Sequence, residues 1–171
     1  MARHDDAEAI RAIYNLEVTE STVTFDLVPR TPEDQHAWPA EHGGVHPAVV
    51  AESGGEVVGF GSLGPYRSRP AYATTVEDSV YVRRDSRGLG CGRAILGELV
   101  RLGTLHGFHA MMARVVGGHE ASIGLHRACG FELVGVEREV GRKFGRWLDV
   151  VVLQRLLGEA VAADRKLPPR L

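Results

Sequence analysis

A glycine-rich turn, Arg87-Gly88-Leu89-Gly90-Cys91-Gly92, stands where a strand pattern gives way to a helix pattern. Before it, Asp78-Ser79-Val80-Tyr81-Val82 alternates and is rich in β-formers. After it, the apolar residues between Arg93 and Leu102 recur at helical spacing. A strand, such a turn and a helix N-terminus together make an anion site. Glycine lets the backbone approach a ligand closely and adopt positive φ. The N–H groups of the first helical turn have no partner inside the helix, and the helix dipole favours negative charge beside them. The junction therefore implies a strand-turn-helix unit facing a phosphate-bearing molecule, and leaves open which one.

The other elements follow from periodicity and punctuation. Asp5 to Glu20 reads as a helix, with Ile10, Ile13, Tyr14 and Leu16 near one face and Asp5 or Asp6 to cap it. Ser21 to Phe25 is short and β-branched. Thr31-Pro32-Glu33-Asp34 is a helix start, with Thr as N-cap, Pro in the first turn and acids next. That helix should be short, because Pro39 and Gly43-Gly44 follow. Pro47 to Glu52 and Glu56 to Leu63 are β runs split by Ser53-Gly54-Gly55, a hairpin signal. Ala73 to Val82 is a third strand, and Gly90 to His106 a helix ended near Gly107. Ala110 to Val116 is a strand broken by Gly117-Gly118. His119 to Cys129 is a helix with Gly130 beyond its end. Phe131 to Val140 and Trp147 to Leu157 are strands around a Gly141-to-Arg146 turn. The order predicts one mixed α/β domain over residues 1–157, most strands in one sheet, and a loosely held polar tail over 158–171.

Composition excludes several classes. A net charge of −2 offers no basic footprint for nucleic acid or an anionic membrane. No apolar run is long enough to span a bilayer, and Met1 to Asp6 holds no signal-peptide core. Two cysteines, Cys91 and Cys129, make no disulfide framework, so a cytoplasmic location is expected. The eight histidines form neither an HExxH pair nor a Cys/His cluster, and no metal is expected.

Among glycine loops, the P-loop fails because no Lys follows these glycines. The dinucleotide fingerprint fails because its third glycine position falls on Arg93 or Ile95, in mid-chain after a meander. Arg87-x-x-Gly90-x-Gly92 does match the (Gln/Arg)-x-x-Gly-x-(Gly/Ala) loop of the Gcn5-related N-acetyltransferase (GNAT) superfamily. Ile123-Gly124-Leu125-His126-Arg127-Ala128-Cys129-Gly130-Phe131 resembles that family's downstream helix-to-strand signature, at the family's spacing. Ile13 to Asn15, Ser21 to Phe25, Gly64 to Arg69, Ala71-Tyr72, Val76 to Val82 and Trp147 to Val150 resemble the phosphinothricin and methionine sulfoximine N-acetyltransferase subfamily.

The resemblance implies an α/β GNAT fold. Its central sheet is mixed and mostly antiparallel, with flanking helices and a splayed pair of fourth and fifth strands. Here the family's first strand is expected to be missing or short. It also implies acetyl-CoA as co-substrate. Arg87, Gly88, Leu89, Gly90, Cys91, Gly92 and Arg93 would hold the pyrophosphate, and the backbone of Val80, Tyr81 and Val82 the pantetheine arm. His119 would replace the family's usual asparagine. The implied reaction is acetyl transfer to the α-amino group of a small amino acid or analogue (phosphinothricin, methionine sulfoximine or methionine sulfone) in a homodimer.

Such transfer needs a base to take a proton from the ammonium group, a donor for the thioester oxygen and an acid for the leaving thiolate. The resemblance assigns the base to Glu77, directly or through water, and the acid to His126, where many members carry tyrosine. Histidine can donate a proton near neutral pH. Arg67 and Arg69 are candidates for the substrate carboxylate, and Phe25, Tyr66 and Tyr72 for the pocket walls. Each has a plainer alternative: a solvated edge charge for Glu77, a helix-face histidine packed at the core rim for His126, and solvated loop charges for the arginines. Cys91, which a helix N-terminus could make a more acidic thiol, reads rather as a small packing residue, and Arg142-Lys143 as an ordinary basic turn. Pro39 and His42-Gly43-Gly44 shorten the second-helix region that normally lines the acceptor side, and Leu148 replaces a histidine common in the subfamily. Two other functions stay open. One is a non-catalytic acyl-CoA sensor, against which Glu77 and His126 argue. The other is an acetyltransferase for a protein or antibiotic amine.

Overall fold

A computed structural model describes residues 1–158 of the chain, without the side chains of 39–41. The tail expected over 158–171 lies outside the described residues except for Gly158.

Helix α1 (Ala7–Glu20) follows a 3-10 turn at His4–Asp6 and buries Ile10, Ile13, Tyr14 and Val18 along one stripe. Ahead of it, the Ala2 N–H donates to Ala48 O at 2.9 Å, so the N-terminal segment runs beside the first strand of the sheet. Helix α2 (Pro32–Glu41) starts at the cap seen in the sequence. Thr31 Oγ1 accepts from the Asp34 N–H at 3.1 Å, and Asp34 Oδ2 accepts from the Thr31 N–H at 3.0 Å. This reciprocal pair satisfies two donors that the helix cannot.

Strands β1 (Ala48–Ser53), β2 (Glu56–Pro65), β3 (Thr75–Val82), β4 (Ala110–Val116), β5 (Glu132–Lys143) and β6 (Arg146–Leu156) form one six-stranded sheet in the order β1-β2-β3-β4-β6-β5. All neighbours pair antiparallel except β3 and β4, which are parallel. A parallel pair needs a crossover, and α3 (Cys91–Leu105) supplies it. Helix α4 (Glu120–Ala128) then joins β4 to β5.

Side chains alternate along β3. Val76, Val80 and Val82 belong to the cluster under α3, with Leu96, Leu99 and Met111. Tyr81 belongs to the opposite layer, with Tyr14, Trp38 and Phe60. Asp78 therefore shares the α3 face, while Glu77 and Ser79 share the α1 face. Leu96, Leu99 and Ile10 are 0% exposed, and each such side chain contributes about 1.5–3 kcal/mol through burial.

Two expectations shift. The third strand begins at Thr75 rather than Ala73, because Pro70–Tyr72 closes a 3-10 turn that Ala73 caps through its N–H on Pro70 O. The Gly141-to-Arg146 turn contracts to Phe144-Gly145, with both residues at positive φ, and β5 runs on to Lys143. The extra chain is absorbed by a bulge between Glu137 and Gly141, where the Glu139 N–H donates to Asp149 Oδ1 at 2.8 Å.

Candidate functional site

The parallel register of β3 on β4 comprises Thr75↔Ala110, Val76↔Met111 and Glu77↔Met112. A cavity of about 630 Å³ is lined by both strands from there on: by Glu77 to Val82 of β3 and by Ala113 to Val116 of β4. Its other walls come from the turn before α3, from α4 between His119 and His126, and from Glu17 and Val23 to Phe25.

At one end is the glycine turn. Gly90 caps α3 with φ 87°, a conformation that costs a side-chain-bearing residue about 1–2 kcal/mol. The N–H groups of Cys91, Gly92 and Arg93 open α3 and have no intrahelical acceptor. Arg87, Gly88, Gly90, Gly92 and Arg93 all line the cavity. Leu89, 76% exposed, and Cys91 lie outside that lining. The Arg87 guanidinium donates to Glu17 Oε1 at 2.8 Å and to Val82 O at 3.2 Å, while Arg84 reaches the same Glu17 oxygen at 3.0 Å. Burial acts to raise the Glu17 carboxyl, but Ser21 and the two arginines outweigh it and hold it below the ordinary range. His119 caps α4, its Nδ1 accepting from the Ser122 N–H at 3.3 Å. An accepting Nδ1 leaves the ring proton on Nε2, a donor on a residue that lines the cavity. Burial, then Arg87, push His119 below the ordinary histidine value, which favours that neutral form.

At the other end stand Glu77, Asp78 and His126. Glu77 is half-buried, and burial pushes its carboxyl above the ordinary range. Arg114 opposes this shift, and Asp78 and Glu137 add to it. Arg114 is itself bound to Glu137 at 2.6 Å. His126 is 3% exposed, packed edge-on against the Phe131 ring, and hydrogen-bonded at both nitrogens. Nδ1 lies 2.7 Å from Ser122 O, and Nε2 lies 3.0 Å from Asp78 Oδ2.

The expected acceptor residues are divided. Phe25 lines the cavity, whereas Arg67, Arg69 and Tyr72 do not. Arg67 lies against Tyr66 and Tyr72, its guanidinium carbon 5.0 and 5.7 Å from their ring centres, and acts on Glu77 electrostatically. Phe25 is held from the far end of the sheet. A Cβ at Gly141 would sit 2.1 Å from its ring, and Lys143 Nζ donates to Thr24 O at 2.8 Å. Lys143 is buried, so it is a strut under the cavity wall and not the ordinary basic turn expected.

Sequence reading gave no role in the site to Glu17, Asp78, Gly141 or Lys143. For Asp78 a signal was present: it follows Glu77 in a β run, so alternation turns it to the face that receives α4. For Glu17 and Lys143 none was, since their partners lie 70 and 119 residues away.

Among the described residues, no group of three His, Cys, Asp or Glu side chains could hold a metal ion. No helix among them is long and apolar enough to cross a membrane.

This fold, with a cavity lined by the start of α3, by the carboxylates of Glu77 and Asp78 and by the His126 imidazole, defines an α/β protein with a ligand-sized site beside a helix N-terminus. A profile of the acetyltransferase (GNAT) family matches residues 10–131. The chain is 42% identical over 153 residues to an L-methionine sulfoximine/L-methionine sulfone acetyltransferase of Pseudomonas aeruginosa, covering 87% of this chain and 88% of that one. It is 41% identical to a phosphinothricin N-acetyltransferase of Alcaligenes faecalis, covering 98% and 85%. A phosphinothricin acetyltransferase from Sinorhizobium meliloti, solved in complex with acetyl-CoA, superposes with a TM-score of 0.88 at 38% identity, over 96% of this chain and 94% of that one. The chain belongs to the GNAT family and is an N-acetyltransferase that uses acetyl-CoA.

Proposed function

We propose that this enzyme acetylates the α-amino group of a small amino acid or analogue of the phosphinothricin, methionine sulfoximine or methionine sulfone type. The acceptor class follows that of the relatives. One observation supports the chemistry above all: Glu77, partly buried and shifted toward neutral pH, closes the β3–β4 register at the inner end of the cavity. In this reading the two strands splay beyond Glu77 and admit the pantetheine arm beside Val80, Tyr81 and Val82. The three-pair register supports that splay. The pyrophosphate lies in the Arg87-to-Arg93 turn, where Cys91 and Leu89 contribute backbone only, and the Nε2–H of His119 donates to the arm.

Acetyl-CoA supplies an activated acyl group; the chain's residues move protons. Glu77 takes a proton from the ammonium group, directly or through a water, which its raised pKa suits. His126 gives a proton to the leaving sulfur. Arg67, which lies against Tyr66 and Tyr72, and Arg69 stand outside the cavity lining and would meet the acceptor carboxylate only from beyond it, and Phe25 walls its side chain.

The test is thiol release from acetyl-CoA with a panel of amines led by phosphinothricin, methionine sulfoximine and methionine sulfone. Turnover with these and not with peptide lysine or aminoglycoside amines is expected. Measurable CoA binding with no release from any acceptor would sink the reading. Gly141→Ala probes the Phe25 wall. It is expected to leave folding intact, because the clash falls on the end of a movable ring, and to lower kcat/KM for the acceptor about tenfold by misplacing it. An unchanged acceptor KM would show that Phe25 is not a wall.

We further propose a homodimer built on the β5–β6 hairpin. Leu133, Val134, Val136, Val140, Phe144 and Trp147 are each more than half exposed, and β5 is an edge strand. Light scattering is expected to give twice the chain mass, and Trp147→Arg the single mass; a wild-type monomer refutes the interface. Cys91 and Cys129 are free thiols, which supports a reducing, cytoplasmic location.

A further inference from the structure

We infer that Asp78 is a positioning residue for the transfer: it holds the His126 imidazole as a cation, so that the two side chains act as one proton-donating unit. This rests on the reading of His126 as the acid.

Hydrogen-bond chemistry at the ring carries the inference. A carbonyl oxygen only accepts, so Nδ1, 2.7 Å from Ser122 O, must carry a proton. Nε2 faces a carboxylate oxygen at 3.0 Å. Asp78 and His126 have side chains 2% and 4% exposed, and a lone ionised carboxylate there would be costly. The pair must therefore hold a second proton between Nε2 and Oδ2. Placed on Nε2 it makes an imidazolium–carboxylate pair.

Burial by itself lowers the imidazole, but the hydrogen bond and charge of Asp78, with the Ser122 carbonyl, outweigh it and raise it above the ordinary value. The other charged groups nearby act on Asp78's neighbours. Glu77 feels Asp78 along β3, and Cys129 at the end of α4 feels Asp78 with Arg93 of α3 and Arg155 of β6. Those that act on His126 are Asp78 and Ser122. Asp78 also keeps Oδ1 buried without a partner among the described residues, and it lines the cavity with His126. Both residues thus border the cavity although their side chains are almost fully buried.

In the transfer, the acceptor nitrogen bonds to the thioester carbon, the carbon–sulfur bond breaks and the electron pair leaves on sulfur. The proton that Nε2 shares with Asp78 Oδ2 passes to that sulfur once the ring turns Nε2 from Oδ2 toward the cavity, giving the free thiol and a neutral imidazole beside ionised Asp78. That state, with one uncompensated buried charge, is unfavourable, so a solvent proton restores the imidazolium before the next cycle. A proton donor matched to a weakly acidic thiol works best when its own pKa is raised, and Asp78 raises it.

Asp78→Asn tests the idea with two readouts. The first needs no acceptor: NMR titration of the His126 ring in the full-length protein. Without the carboxylate, the titration is expected to move down by about one pH unit. The second is the pH profile of kcat. Its alkaline limb, where the acid is lost, is expected to move down by a similar amount, with KM for acetyl-CoA changed less than about twofold. The double variant Asp78→Asn/His126→Gln is expected to be no slower than His126→Gln alone, as for two residues acting as a unit. An unmoved His126 titration, an unmoved limb or additive losses would each overturn the proposal while leaving amino acid acetylation standing. An enzyme inert toward the whole amine panel would overturn the functional reading instead, and the titration alone would then decide whether Asp78 holds the cation.

Discussion

Glu77→Gln is expected to lower kcat/KM for the amino acid acceptor at pH 7.5 by about 10²–10⁴-fold, the range that general base catalysis supplies. KM for acetyl-CoA should hardly move, because Glu77 lies at the opposite end of the cavity from the glycine turn. The pH profile should also change shape. In the wild type, activity rises as Glu77 ionises, in a window above the ordinary carboxylate range because burial has raised it. In the variant, the rising limb follows the acceptor's own free amine instead, so part of the deficit is recovered as pH rises toward the alkaline limb set by His126. An unchanged rate on both sides of pH 8 would exclude Glu77 as the base.

Stability gives an independent check on the same variant. A carboxyl raised in the folded state binds its proton more tightly there than in the unfolded chain. Folding therefore loses stability as pH rises from the unfolded pKa through the folded one. At pH 7.5 the ionised Glu77 is a cost to the fold, and glutamine removes it. The variant should melt at or slightly above the wild-type temperature. A large fall in melting temperature would instead mean that Glu77 is structural and that the lost activity is a folding defect.

Gly61→Ala should be among the most damaging single-methyl changes to stability. Gly61 lies in β2 between Val49 of β1 and Val80 of β3. A Cβ there would sit 2.5 Å from Ile95 Cγ2, 2.9 Å from Ser79 O and 3.0 Å from Leu99 Cδ1. Ile95 and Leu99 are 2% and 0% exposed, so neither can swing aside, and the Ser79 oxygen is backbone. Helix α3 must lift or its side chains must leave their rotamers, at about 1–3 kcal/mol. At roughly 2–4 °C per kcal/mol for a domain of this size, about 2–12 °C of melting temperature goes with it. Because α3 carries the glycine turn at its start, KM for acetyl-CoA should rise as well. A melting temperature within about a degree of the wild type would mean that the close approach in β2 is not a constraint.

Much of the architecture is local and was legible in the chain. Thr31 and Asp34 mark the start of α2 because a capping box is satisfied within one turn, whatever surrounds it. The helix from Cys91 and the strand from Ala110 to Val116 follow from periodicity. Boundaries drifted where long-range contacts set them. β5 extends to Lys143 because it pairs with β6 and because a bulge near Glu139 takes up the slack, neither of which is written in the local pattern.

The site divides in the same way. The glycine turn with its helix N-terminus is contiguous, so the sequence by itself determined a glycine turn opening a helix at residues 87–93 and a carboxylate at Glu77 on the preceding strand. Only the tertiary structure decided what those groups face. Asp78 meets His126 across 48 residues, Glu17 ties down Arg87 from α1, and Lys143 with Gly141 props Phe25 from the far hairpin. Hydrogen bonds and close contacts of that kind depend on which strands lie side by side and how the faces alternate. That is fixed by burying the two apolar layers at once, a requirement of the whole chain that no window of it records.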